Sequence, residues 1–211
     1  MLNTHNFKGF TMGAYTSMHH TWMINKAVDH RIQHASRISK SFTGGLAFGL
    51  AFDYTFSSKL GIELDYIFHS GEGQNYTIPT EMGLEVKRAG VTYSRVPLIL
   101  KYKMSRISRI DGKSPVVLNY LLGAQYGFRS FTNIDDEIGF LTTEDLSKTE
   151  FGILAGLEWD FHLDKNYMIS LGTRASLNSG TETFPRIGAD GFRLPHTVLI
   201  GATAKFSYAF K

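Results

Sequence analysis

The stretch FTGGLAFGLAFDYTFSSKLGIELDYIF, residues 42–68, alternates with period two. One row reads Phe42, Gly44, Leu46, Phe48, Leu50, Phe52, Tyr54 and Phe56. The other reads Thr43, Gly45, Ala47, Gly49, Ala51, Asp53 and Thr55. Successive side chains of a strand point to opposite faces, so this is a strand with one bulky apolar face and one small or polar face. A water-soluble sandwich turns the bulky face inward and solvates the other with long Lys, Glu and Gln side chains, not with Gly and Ala. A membrane barrel turns the bulky face outward to lipid.

The composition suits the second reading. Of 211 residues, 43% are hydrophobic, 13% aromatic and only 19% charged, with 21 Gly and 5 Pro. Many-stranded chains use Gly where backbones crowd. Mean hydropathy is −0.12, and no run of about eighteen apolar residues predicts a transmembrane helix. A membrane strand is apolar only at alternate positions, so a value near zero does not argue against a barrel. With no cysteine, disulfides, thiolate catalysis and Cys-based metal sites are excluded. The opening MLNTHNFKGF lacks the features of a secretory signal, so the barrel reading expects the signal peptide to have been removed already.

Eight segments carry strand chemistry, at about 7–24, 41–56, 59–75, 86–104, 115–130, 149–163, 166–179 and 196–210. Their connections alternate between short and long. Ser57-Ser58, a turn within 105–114 and Asp164-Lys165 are short; 25–40, 76–85, 131–148 and 180–195 are long. Outer-membrane barrels show that asymmetry, with short periplasmic turns and long external loops, and an even strand count puts both termini on the short-turn side.

The faces are consistent along the chain. In the third segment Leu60, Ile62, Leu64, Tyr66 and Phe68 oppose Gly61, Glu63, Asp65 and His69. In the sixth, Phe151, Ile153, Ala155, Leu157, Trp159 and Phe161 oppose Gly152, Gly156, Glu158, Asp160 and His162. The first and fourth segments are less regular. Phe7 and Tyr15 fall on the polar face of the first, with Thr16 and His20 on its lipid side. In the fourth, Val96, Leu98, Leu100 and Tyr102 face out, so Arg95, Pro97, Ile99, Lys101 and Lys103 face in. Pro97 cannot donate to a ladder, which predicts a bulge or local break there. Aromatic residues near the short turns, among them Tyr54, Tyr102, Trp159, Tyr167 and Tyr208, predict an interfacial girdle.

At TYSRVPLILKYKM, residues 92–104, the chain resembles the PorT-like outer-membrane β-barrel family, in which Tyr, a residue or two, then Pro-Leu-(Leu/Ile)-Leu-Lys-Tyr recurs. The resemblance extends to GLAFGLAFDYTFSSKLGIELDY and to Leu121-Leu122-Gly123-Ala124. It implies a small outer-membrane barrel, in some members an accessory subunit of a secretion or surface-assembly machine, with no shared catalytic set. The chain departs from the aromatic barrel-assembly terminus, because Phe210 is followed by Lys211.

On the inward face Asp53, Glu63, Asp65, Glu158 and Asp160 stand against Arg95, Lys101, Lys103, Arg129, Arg174 and Lys205. A lone buried charge costs several kcal/mol, so these residues are expected to form a salt-bridge network that fills an eight-stranded lumen. His30 and His34 have the i, i+4 spacing of a metal pair, and His34-Ala35-Ser36 has the form of an acyl-transfer pair, but neither has a visible third partner. No catalytic residue, metal or cofactor is therefore expected. The basic first loop offers Lys26, Arg31, Arg37 and Lys40 to lipopolysaccharide phosphates or a partner. The third long loop is acidic. No basic row on a single element suggests nucleic acid.

The sequence thus predicts an all-β, eight-stranded antiparallel up-and-down transmembrane β-barrel, one domain over 1–211. It is expected in the outer membrane as a non-enzymatic accessory or scaffold subunit of a larger complex. The alternatives are a lipid A or phospholipid-modifying enzyme and a small channel or adhesin.

Overall fold

The computed structural model describes residues 9–25, 28–30, 32, 38–104, 116–135, 138–139, 141–163, 166–181 and 196–210. Among these residues nine strands form one antiparallel sheet: β1 (Gly9–Ile24), β2 (Ser39–Ser41), β3 (Thr43–Thr55), β4 (Leu60–Thr80), β5 (Gly83–Lys103), β6 (Val116–Ile134), β7 (Thr149–His162), β8 (Tyr167–Gly180) and β9 (His196–Ala209). Eight of them run in the order β4-β3-β1-β9-β8-β7-β6-β5, and β5 pairs back onto β4, so the ring closes. The first and last strands meet in a ladder from Thr11↔Ala209 to Ile24↔His196. Closure leaves no edge in the ring itself, which an all-strand structure in hydrocarbon requires.

The distribution of burial settles which face is which. Leu46, Phe68, Leu98, Leu122, Ile153 and Phe206 are each 50% exposed or more, while Glu63 and Glu158 are 0% exposed. Charge inside and bulk outside is the inverse of a soluble sandwich. It is the arrangement expected of a barrel whose outer wall meets lipid.

Three features differ from the sequence expectation. Residues 76–85, expected as a loop, belong to the ladder, which runs without a gap from Ser70↔Tyr93 to Thr80↔Gly83. The period-two rows simply continue through Tyr76 and Ile78 on one strand and Val86 and Leu84 on the other. Gly83 adopts φ +128° at the turn, a conformation L side chains rarely take, and Thr80 Oγ1 donates to its carbonyl oxygen at 3.0 Å. Pro79 is tolerated because β4 there has a neighbour on one side only. With 21 residues each, β4 and β5 are about 70 Å long, whereas roughly 9–11 residues cross a bilayer. Their upper halves form a hairpin standing clear of the apolar band.

The second difference is a bulge on β4. Opposite β3 the register passes from Phe48↔His69 to Gly49↔Ile67, and opposite β5 it shifts between Ile67 and Ser70. The extra residue inverts the parity of the strand. Glu63, Asp65 and Ile67 face in below it; Ser70, Glu72, Gln74 and Tyr76 face in above it, and His69, expected inside, is exposed. A similar shift occurs on β6 opposite Thr92 and Tyr93.

The third is β2, which lay unrecognised at the end of the first long loop. It pairs Ser39–Ser41 with β4 at Thr77–Asn75, alongside the stretch of β4 that β3 no longer reaches. Pro97 lies in unbroken register with β6 through Pro97↔Gln125. On its β4 side the paired positions pass from Leu64↔Leu98 to Ile67↔Arg95 with the register sum unchanged, so the proline marks a local break and not a bulge.

Candidate functional site

The interior is built in levels. Nearest the short turns, six strands aim charges at the axis: Asp53 from β3, Glu63 and Asp65 from β4, Lys101 from β5, Glu158 and Asp160 from β7, Arg174 from β8 and Lys205 from β9. Alternation puts all of them on the inner face, and glycines admit them. A methyl group at Gly156 would meet the Thr173 carbonyl oxygen at 2.4 Å and Arg174 Cγ at 3.2 Å.

Glu63 is the hub. Its carboxylate lies 3.1 Å from Lys101 Nζ, 2.5 Å from Lys205 Nζ and 2.5 Å from an Arg174 nitrogen. Glu158 reaches Lys101 at 2.6 Å, Lys205 at 2.7 Å and Arg174 at 3.6 Å. Asp53 pairs with Lys101 at 2.9 Å, and Asp65 with Arg174 at 2.7 Å. Asp160 accepts from Asn119 Nδ2 at 2.7 Å and Ser170 Oγ at 2.6 Å. Lys103 lies at the edge of this level and donates to Thr55 Oγ1 at 2.8 Å. Five carboxylates thus face four cations, and three of the cations, Lys101, Arg174 and Lys205, cross-link four of the carboxylates around the ring.

Arg95 is not part of that level. It holds two carboxylates nearer the long loops: Nε and Nη2 donate to Glu72 at 2.9 and 2.8 Å, and Nη2 to Glu150 at 2.8 Å. Ser70 Oγ donates to Glu72 at 2.9 Å and Thr197 Oγ1 to Glu150 at 3.1 Å. Sequence reading missed both acids, because the β4 bulge turns Glu72 inward and because Glu150 sits at the very start of β7. The alternation signal for Glu150 was present, since it shares parity with Gly152 and Glu158.

Between the two levels is a cavity of about 50 Å³, lined among others by Tyr15, His19, Arg95, Gln125 and Arg174, large and polar enough to hold water. His19 Nε2 donates to the Gly71 carbonyl oxygen at 3.0 Å, tying β1 to β4 across β3. Gly45 allows this: a methyl group there would lie 2.7 Å from His19 Nε2.

Above Arg95 the mouth is closed by apolar side chains. Val28 and Ile32 from the first long loop and Ile138, Leu141 and Leu146 from the third pack against Met23, Tyr76, Val91 and Tyr93 of the wall. Tyr93 Oη donates to the Ser147 carbonyl oxygen at 2.8 Å. Burial pushes the Tyr76 phenol above its ordinary range, helped by Asp29 and Asp145 nearby. Arg129, expected in the charged network, lies at this mouth and donates from Nη1 to the carbonyl oxygens of Thr143 and Leu146, both at 2.7 Å. It holds the third loop down.

Of the residues assigned to lipopolysaccharide or partner contact, Lys26, Arg31 and Arg37 lie outside the described residues, as do His34 and Ser36. Lys40 is engaged within the chain: Nζ donates to Asp29 at 2.5 Å and to the Met23 carbonyl oxygen at 3.0 Å, and lies 5.8 Å from the Trp22 ring centre. Among the described residues no group of three or more His, Asp or Glu side chains is placed to hold a metal ion.

Two comparisons with known proteins bear on this architecture. The family described as outer membrane protein beta-barrel domain matches residues 2–179. Among solved structures the chain is similar to the outer membrane protein OprG from Pseudomonas aeruginosa, with 14% identity, 96% of each chain covered and a TM-score of 0.56. It is also similar to outer membrane protein W of E. coli, with 18% identity over 98% of this chain and 100% of that one and a TM-score of 0.48. No curated protein matches the sequence.

Proposed function

The chain belongs to the outer membrane protein beta-barrel family, and on that premise we propose that it is a closed, non-enzymatic barrel. In this reading it works through its surface, as an accessory or scaffold subunit docked on a larger outer-membrane assembly for secretion or surface assembly. The PorT-like affiliation read from residues 92–104 belongs to the same proposal. So does its orientation, with the short turns and both termini periplasmic and the long loops and the β4–β5 hairpin outside.

The observation that carries the reading is the double seal on the lumen. An ion entering from the short-turn end meets a ring of paired charges, and one entering from the other end meets the apolar packing of Val28, Ile32, Ile138 and Leu141. An eight-stranded barrel has little interior beyond its own side chains. What is left to act is the outside. At the hairpin tip Met82, Leu84 and Val86 are exposed. They are separated from the apolar band by the outward pairs Asn75↔Arg88 and Gly73↔Gly90, and an apolar patch held in water is the kind of surface that protein contact buries.

Two measurements test this together. In planar bilayers the purified protein should give no conductance steps; a steady open channel would overturn the sealed-lumen premise. In mild detergent after cross-linking, the native protein should copurify in stoichiometric amount with a larger membrane protein. Leu84→Ser with Val86→Ser should lose that partner while the barrel stays folded. A clean monomer, or a partner indifferent to the double change, would refute the docking role.

A further inference from the structure

The outer wall carries a polar feature unconnected with the lumen. Above the bulge the outward row of β4 is Gly71, Gly73 and Asn75, and across the ladder Gly73 faces Gly90 and Asn75 faces Arg88. The exposed Arg88 side chain extends over this bare stretch, and its Nη2 donates to the Gly44 carbonyl oxygen at 3.2 Å. Gly44 is the direct partner of His20 in the β1–β3 ladder, so the two share the outward face. A methyl group at Gly44 would meet nothing within 4 Å. The result is an open recess with a backbone floor, an imidazole on one side and a guanidinium on the other.

Its surroundings fix its depth. Phe42 lies beside it, 4.8 Å from Trp22 and 6.5 Å from His20 between ring centres, and Asn75 Nδ2 donates to the Phe42 carbonyl oxygen at 3.3 Å. Leu46, Phe48 and Phe68, all exposed, continue the apolar band below. Aromatic rings at the margin of such a band sit at headgroup depth. Among the described residues no carboxylate pairs with Arg88; its one partner is the Gly44 carbonyl, which leaves the rest of the guanidinium fork free.

We propose that this recess, formed by Arg88, His20 and the Gly44 floor with Trp22 and Phe42 beside it, binds the phosphate of a lipid headgroup in the surrounding leaflet. A guanidinium matches two phosphate oxygens with parallel N–H bonds, and His20 donates from the opposite side. The acyl chains then lie along Leu46, Phe48 and Phe68. The site rests on outer-membrane residence alone and is independent of the docking role.

The test adds three lipids separately to the detergent-solubilised protein and counts bound lipid by native mass spectrometry: bisphosphorylated lipid A, its dephosphorylated form and phosphatidylglycerol. The wild type should retain a phosphorylated lipid over dephosphorylated lipid A. Arg88→Ala should reduce that retention about fivefold, the weight of one basic group near a charged membrane surface. Arg88→Lys should restore part of it, and His20→Gln should lower it independently. Heat-modifiable gel mobility confirms that each variant is folded. Retention of lipid A alone assigns its phosphate monoesters, of phosphatidylglycerol alone a phospholipid, and of both any phosphate headgroup; each supports the site. Equal retention of the phosphorylated and dephosphorylated lipids, or retention indifferent to Arg88→Ala, overturns it.

Discussion

The charged level makes a prediction that depends on sign and not only on burial. Lys205 Nζ is shared by Glu63 at 2.5 Å, Glu158 at 2.7 Å and Asp53 at 3.8 Å, and its side chain is 0% exposed. Replacing it with the near-isosteric Met leaves five carboxylates against three cations. Removing one partner of a buried pair costs about 3–5 kcal/mol, because the remaining charge loses its compensation. Asp53→Asn removes an acid from a level that already has one too many, so the same argument predicts a cost below about 1 kcal/mol or a slight gain. The two substitutions touch neighbouring atoms and differ in the sign of the charge they delete. Folding from urea into lipid vesicles, followed by the fluorescence of Trp22 and Trp159 and by gel mobility, gives both midpoints at constant m-value. The expected order is Lys205→Met far below wild type and Asp53→Asn close to it. If the two cost the same, the level is held by packing and hydrogen bonds alone, and the charge-balance reasoning fails.

Gly201→Val should abolish folding, because even its first carbon would lie 2.4 Å from the Met18 carbonyl oxygen and 2.7 Å from His19 Cα, whereas Gly44→Ala should be neutral on the same gel assay. Glu85, hydrogen-bonded by Lys87 and attracted by its charge, has its carboxyl held below the usual carboxylate range. A depressed carboxylate keeps its contribution above the ordinary value and loses it as pH falls through the lower one. The Glu85 side-chain carbonyl signal should therefore titrate in the acid range below that of a free glutamate, and move up in Lys87→Met, with the Thr80 hydrogen bond still holding part of the depression. A fluorophore attached at His69→Cys should be quenched by spin-labelled lipid and one attached at Glu72→Cys should not; the reverse result would refute the bulge on β4.

The alternation in residues 42–68 was enough to place bulk outside and charge inside, because hydrophobic parity is a local property that each strand carries alone. The same rule failed where one residue is added. Nothing in Ile67-Phe68-His69-Ser70 announces a bulge, since Phe68 and His69 are both acceptable on an interfacial wall, and so unbroken alternation would place Glu72 outside and leave Arg95 without its partners. The hairpin is hidden from local pattern for a different reason. Thr77, Pro79, Glu81 and Gly83 have turn-like chemistry, and only the tertiary pairing with β5 shows that the turn is confined to Glu81 and Met82. The closure of the mouth was invisible too, because Val28, Ile32, Ile138 and Leu141 come from two loops whose meeting no local pattern encodes.

The charged level draws its members from β3, β4, β5, β7, β8 and β9, so it exists only when the last strand has docked. Before Lys205 arrives, Glu63 and Glu158 lack a counter-charge they share in the finished ring, and the partly rolled sheet cannot rest comfortably in hydrocarbon. The network thereby ties the energetics of insertion to completion of the ring. Residence in hydrocarbon should favour the completed cylinder over its precursors, and a chain truncated before β9 is expected to insert less stably than the full one.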